Sequence, residues 1–223
     1  IKYNIPTLIE KPLTLDLKST NEIKNLLTKK KSIFLINHQH LMSPYFIKLK
    51  KLVNNKNIKK IYSEAHGIGP KRNYSILWDW IPHDLSMIFD LLGINKKITI
   101  LSLKKQLKHE GYERWNIKFM IDNVYLNINI GNNFKRKTRV FSVFEKNGNI
   151  TSINDQNTPR YKLRHNNQYI EINHSYPLQN KIKYFIDLAN KKKSRKLTES
   201  EYIKDINLSL KIAKSIENIY YHK

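Results

Sequence analysis

Two hydrophobic rhythms divide the chain. Up to about residue 95, short apolar runs alternate with stretches of helical period. Pro6-Thr7-Leu8-Ile9 predicts a buried strand that runs into Glu10-Lys11-Pro12. Leu15 to Lys30 predicts a helix with Ile23, Leu26 and Leu27 on one face, and Ser32 to Asn37 a second buried strand. Strand, helix, strand in that order predicts a parallel crossover. Ser43-Pro44 is a helix start, with Ser as N-cap and Pro at the first helical position. Phe46, Leu49, Leu52 and Val53 carry that helix to about Asn55. Ile58 to Ala65 predicts a strand broken by Gly67, Gly69 and Pro70. Leu85, Ile88, Phe89 and Leu92 predict a helix closed by Gly93.

From Ile98 the period falls to two. Trp115, Ile117, Phe119 and Ile121 alternate with other residues, as do Val124, Leu126, Ile128 and Ile130. Asp122-Asn123 and Asn147-Gly148 are hairpin turns. The expectation is an antiparallel sheet with one wet face. Two helices follow, one from Pro177 to about Asn190. The other starts at Thr198, with Glu201 completing a capping box, and shows Ile203, Ile206, Leu210, Ala213 and Ile216 on its face. The predicted fold class is therefore α/β at the start, followed by an α+β domain with an open, mainly antiparallel sheet. The expected division falls near residue 40: residues 1–40 form the α/β piece, and 41–223 the larger domain, final helices included.

Composition changes this picture little. The 223 residues contain no Cys, which excludes disulfides and Cys-based zinc sites and fits a reducing compartment. No apolar run approaches the roughly 18 residues of a membrane span. A soluble, cytoplasmic protein is expected. The net charge of +23 points to nucleic acid. However, Lys outnumbers Arg about five to one and Asn and Ile are abundant, the residues an AT-rich genome favours. Lys29-Lys30-Lys31 and Lys191-Lys192-Lys193 fall where helices end, where cations suit the dipole. A basic nucleic-acid binder is thus the least favoured function. Ile1 is not Met and the first Met is Met42, so the chain is expected to begin downstream of its gene's start.

Three segments could carry chemistry. Lys11 lies at the end of a buried parallel strand, where open α/β sheets bind ligands. It is either a cation that orients a hydroxyl or an ordinary loop residue. In Leu77-Trp78-Asp79-Trp80-Ile81-Pro82-His83-Asp84, Asp79 and His83 stand four apart and can share a side. They are either a carboxylate and a proton acceptor, or a capped helix with a structural His. Asn37-His38-Gln39-His40 ends another strand. Two His do not make a metal site, so a polar pocket wall is expected and no metal.

Taken in order, these segments resemble the Gfo/Idh/MocA oxidoreductases, the family of glucose–fructose oxidoreductase and inositol dehydrogenase. Glu10-Lys11-Pro12-Leu13 resembles that family's EKP signature. Asn37-His38 followed by Ser43-Pro44 resembles its next landmark, and Leu77 through Asp84 its D-x-x-x-H helix. Pro177-Leu178 resembles its usual ending. The resemblance implies a remnant of a Rossmann domain followed by a dihydrodipicolinate-reductase-like C-terminal domain. It implies NAD or NADP as cofactor and a sugar, cyclitol or nucleotide-sugar as substrate. Glu10, Lys11, Pro12 and His38 would contact the cofactor. Lys11, His38, Asp79, Trp80 and His83 would contact substrate. Lys11, Asp79 and His83 would be catalytic, with His83 taking the hydroxyl proton and Asp79 steering it. Leu41 stands where many relatives show Arg.

The family's Gly-rich pyrophosphate turn has no counterpart here. Gly67 and Gly69 precede Pro70, not a helix. The chain alone is therefore expected to bind NAD(P) weakly or not at all and to be inactive by itself, the cofactor needing an N-terminal half that precedes Ile1. The alternative function is a non-catalytic remnant that forms homo-oligomers through its open sheet.

Overall fold

In the computed structural model, residues 5–30, 33–69, 73–109, 112–154, 162–191 and 199–221 are described. The chain divides into two compact units, residues 1–43 with 175–223 and residues 44–174.

In the first unit, β1 (Thr7–Ile9), α1 (Leu17–Lys30) and β2 (Phe34–Ile36) form the expected crossover. The strands pair in parallel, Thr7 with Phe34 and Ile9 with Ile36. Helix α1 starts two residues later than expected because Asp16 caps it, its Oδ1 accepting from the Ser19 amide at 2.6 Å. Residues Ile33 to Ile36 are an unbroken apolar run, and both faces of the strand are buried. Phe34 and Ile36 pack with Leu27 of α1 and Ile206 of α6 (Glu199–Tyr220). Ile33 and Leu35 pack with Leu188 of α5 (Pro177–Lys191). Each such buried side chain contributes about 1.5–3 kcal/mol. Asp205 of α6 covers the strand's backbone, accepting from the Ile36 amide at 3.1 Å and from buried Lys181 of α5 at 2.6 Å.

The first break, after Ser43, lies close to the expected division near residue 40, but these contacts correct the expected placement of the final helices in the larger domain. The last two helices belong to the first unit, because β2 needs apolar cover on both faces and Leu188 and Ile206 supply it. Lys31, Lys192, Lys193 and Thr198, and the side chains of Lys30, Lys191, Glu201 and Ile203, lie outside the described residues.

The second unit is an eight-stranded sheet. Its strands are β3 (Ile58–Ile68), β4 (Ile98–His109), β5 (Tyr112–Ile121), β6 (Val124–Gly131), β7 (Asn133–Glu145), β8 (Ile150–Asn154), β9 (Lys162–His165) and β10 (Gln168–Ile170). The order is β10-β9-β8-β7-β3-β6-β5-β4. The sheet is mainly antiparallel as expected, but β3 lies in its middle, parallel to β6 and antiparallel to β7. Asp122 (φ 49°) and Gly148 (φ 93°) make the two expected hairpin turns.

One face of the sheet is apolar. Ile61, Ala65, Ile117, Phe119, Leu126, Ile128, Phe141 and Val143 are all buried. Phe46 of α2 (Pro44–Leu52) meets Phe141 edge-on. Helices α3 (Ile76–Asp79) and α4 (Ile81–Leu92) follow, and α4 ends at Gly93 (φ 93°) as expected. The alternate positions Tyr62, Glu64, His66, Asn116, Asn127 and Asn129 are half-buried and polar, and Asn116 donates to both Asn127 and Asn129.

The expected break at Gly67 does not occur, since β3 continues to Ile68. A Cβ on Gly67 would lie 3.4 Å from Trp80 Cη2, and one on Gly69 would lie 3.3 Å from Trp80 Cζ2. Both glycines make room for the Trp80 indole. Pro70 lies outside the described residues.

Candidate active site

In the first unit the expected site residues gather at the carboxyl ends of β1 and β2. The Asn37 amide donates to Ile9 O at 2.8 Å, carrying the pairing one residue past β2. Asn37 Nδ2 donates to Glu10 Oε1 at 2.7 Å. Glu10 is exposed, Lys11 and Pro12 are half-buried, and the Lys11–Pro12 peptide is cis. This is the crevice end of a parallel sheet, where side chains from successive strands converge.

His38 is only 1% exposed. Its Nε2 pairs with Ser209 Oγ at 2.9 Å. Burial pushes its pKa down to about 4; Asp205 opposes the shift, and Lys181 and Lys11 add to it. The ring is therefore neutral at pH 7. Two buried atoms, Asn37 Oδ1 and His38 Nδ1, have no hydrogen-bond partner among the described residues. Such atoms cost free energy unless something pairs with them.

In the second unit, Asp79 ends α3 and His83 lies in the first turn of α4, with Trp80 joining the two helices. The Trp80 amide donates to Ile76 O at 2.8 Å and the His83 amide to Trp80 O at 3.3 Å, so the chain keeps a helical course from Asp79 to His83. Asp79, Trp80 and His83 are half-buried.

Two anchors hold this turn, and neither is evident from spacing. The first is Glu113 on β5. Its Oε2 accepts from Ser75 Oγ at 2.6 Å, the Ile76 amide at 3.1 Å and Trp115 Nε1 at 3.0 Å. Its Oε1 meets Lys105 Nζ at 3.0 Å. Burial alone would raise the Glu113 pKa, but the bonds from Ser75, Trp115 and Lys105 outweigh it and hold the carboxyl below its ordinary value. An anion at the start of α3 also suits the helix dipole. The second anchor is Asp84, which is fully buried. It accepts from Ser63 Oγ of β3 at 2.6 Å and pairs with Arg139 Nη2 of β7 at 2.9 Å. The one sequence signal for Glu113 was a charged residue two before a Trp in a strand of alternating pattern.

Among the described residues, no group of three or more His, Cys, Asp or Glu side chains is placed to hold a metal ion. Nor is any described helix long and apolar enough to cross a membrane.

Comparison with protein-family models finds no match, and comparison with curated proteins finds none either. Solved structures do match. A UDP-N-acetylglucosamine 3-dehydrogenase from Acidithiobacillus ferrooxidans superposes with a TM-score of 0.76 at 14% identity, over 98% of this chain and 70% of its own. A dehydrogenase from Clostridium difficile gives 0.70 at 19% identity, over 95% and 71%. A Gfo/Idh/MocA family oxidoreductase from Vibrio cholerae gives 0.68 at 15% identity, over 98% and 72%. Along nearly its whole length, then, this chain has the fold of the Gfo/Idh/MocA oxidoreductases.

Proposed function

We propose that the protein acts as an NAD(P)-dependent oxidoreductase of the Gfo/Idh/MocA family, on a hydroxyl-bearing carbon of a sugar, cyclitol or nucleotide-linked sugar. The observation that carries this reading is the Asp79–His83 turn, held from two sides by Glu113 and Asp84 within a fold shared with sugar-nucleotide and other dehydrogenases. A first segment derived from a Rossmann domain fits the parallel β1-α1-β2 crossover.

When bound, a nicotinamide ring accepts or returns a hydride. The residues at the strand ends suit its polar edge: Lys11 is a cation, and Asn37 Oδ1 and His38 Nδ1 are buried polar atoms without described partners. The glycines present suit a pyrophosphate less well, because Trp80 fills the space beside Gly67 and Gly69. In this reading Lys11, with Glu10 and Pro12 beside it, orients the reacting hydroxyl. His83 takes that hydroxyl's proton, a transfer worth roughly 10²–10⁴ in rate. Asp79 holds a neighbouring hydroxyl and steers the imidazole, and Trp80 offers an aromatic wall. His38 is buried and neutral, so it shapes the strand end and carries no charge there.

The test is turnover of NAD and NADP by the chain supplied with a dinucleotide-binding domain, on sugars, cyclitols and nucleotide-sugars, wild type against H83A and K11A. A loss of about a hundredfold or more in kcat for H83A is expected. Full turnover by H83A overturns the role of His83, and no turnover by wild type with any substrate overturns the reading. A second reading, a non-catalytic homo-oligomer paired through the sheet, is favoured by the polar face that carries Tyr62, Glu64 and His66. Sizing chromatography beside the turnover assay separates the two.

A further inference from the structure

Opposite Gly67, strand β7 carries four residues where one would do. His66 pairs with Thr138 and Ile68 with Asn133, so Gly67 alone faces Phe134, Lys135, Arg136 and Lys137. This is a bulge larger than the usual two residues against one, a device that bends a strand and re-aims its side chains. Its root is built in. The Phe134 ring stacks on His66, with centroids 4.0 Å apart and planes within 1°, and the Arg114 guanidinium lies 3.8 Å from the ring centroid. Gly131 admits that ring, because a Cβ there would stand 2.3 Å from Phe134 Cε2.

With Phe134 anchored, Lys135, Arg136 and Lys137 are exposed as three consecutive cations. The bulge is also set beside the candidate site. Trp80 Cη2 lies 3.4 Å, and Lys137 Cα and Cγ 3.9 and 4.0 Å, from the point a Cβ would take on Gly67. Trp80, the residue that follows Asp79, and Lys137 thus border the same space left by the missing side chain. A guanidinium fork with flanking ammonium groups matches the oxygens of phosphate. Four residues span at most about 14 Å, enough for one or two phosphates.

We propose that the Lys135-Arg136-Lys137 bulge is a phosphate-binding lip of the candidate active site, holding the phosphate or diphosphate of a phosphorylated or nucleotide-linked sugar. The proposal rests on the reading of Asp79 and His83 as substrate contacts and narrows its substrate class to phosphate-bearing sugars.

The test is calorimetric and NMR titration of the whole protein, without cofactor, with pyrophosphate, glucose 1-phosphate, UDP and glucose. Pyrophosphate should compete with UDP or with glucose 1-phosphate; the tighter of those two identifies the phosphate as nucleotide-borne or sugar-borne. Glucose should bind far more weakly. The K135S/R136S/K137S variant should lose at least about tenfold in affinity, the worth of one charge-assisted contact. K18S/K24S/K29S on α1, an equal change in net charge, should lose little. R136S alone, with shifts mapped onto residues 134–138 of wild type, decides the matter if the triple variant does not fold.

The proposal is overturned by any of three results. Wild type binds none of the phosphates, or both triple variants lose affinity equally, or an oligonucleotide outcompetes UDP on these residues. Phosphate binding on the bulge without turnover of any sugar, even with a dinucleotide-binding domain supplied, would leave this site standing and remove the dehydrogenase reading.

Discussion

Replacing Glu113 by Gln tests the anchor beneath the Asp79–His83 turn. The carboxylate accepts from Ser75, Ile76 and Trp115 through one oxygen and meets Lys105 through the other. Gln keeps the shape but offers one acceptor, sets an NH2 against a donor, and removes the charge from every bond. Hydrogen bonds to charged groups contribute about 1.5–3 kcal/mol against about 1 for neutral ones, so three weakened bonds cost about 2 kcal/mol. The Lys105 contact is about one-third exposed on the lysine side and adds well under 1 kcal/mol, given roughly 0–1 for such pairs. In a protein of this size about 2 kcal/mol lowers Tm by roughly 4–8 °C. Urea unfolding followed by Trp fluorescence reads the right unit, since all three Trp, at 78, 80 and 115, lie in residues 44–174. The gap between wild type and E113Q carries a pH signature. The Glu113 carboxyl is held below its ordinary value, so its stabilisation is complete above the unfolded pKa, about 4.3. It is lost as pH falls through the lowered folded value. The gap should be full at pH 7 and close in acid. A gap under about 0.5 kcal/mol at pH 7 refutes the anchor, given the ±0.5 typical of neutral surface changes. So does a gap that acid leaves unchanged.

Two further predictions concern other parts of the chain. His38 stays neutral down to about pH 4 in the native state, whereas the unfolded chain takes up the proton near 6.5, so stability should fall as pH drops through that window. The first unit should lose about 2 kcal/mol between pH 7 and 5, read by hydrogen exchange in α6, and H38Q should lack that slope; an equal slope in H38Q rejects it. Gly131→Ala drives a methyl into Phe134 and should cost about 1–3 kcal/mol. Most of that cost should vanish in a Phe134→Ala background, and strictly additive effects would deny the clash.

The division between what was legible and what was not follows from what periodicity reports. The apolar runs at Leu8 and Ile33 to Ile36 with a helix between them pointed to a parallel crossover, and the two strands do pair in parallel. Gly93 and Gly148 marked chain reversals because both need positive φ. The ordered pieces around Lys11, Asp79 and His83 pointed to the fold that the solved structures share. Periodicity tells which side of an element is buried but not what covers it. That Ile206 closes on Leu27, and Leu188 on Ile33, joins residues well over a hundred apart, and it decided that the final helices belong with the first strands. The same holds for β3, whose place between β6 and β7 is set by partners that follow it in the chain. Gly67 and Gly69 read as strand breakers in the sequence; only the indole of Trp80 packed against them shows that their missing side chains are space. Local chemistry thus determined the elements and the candidate residues. Long-range packing alone decided which surfaces met, and with them the anchors Glu113 and Asp84 that hold the turn in place.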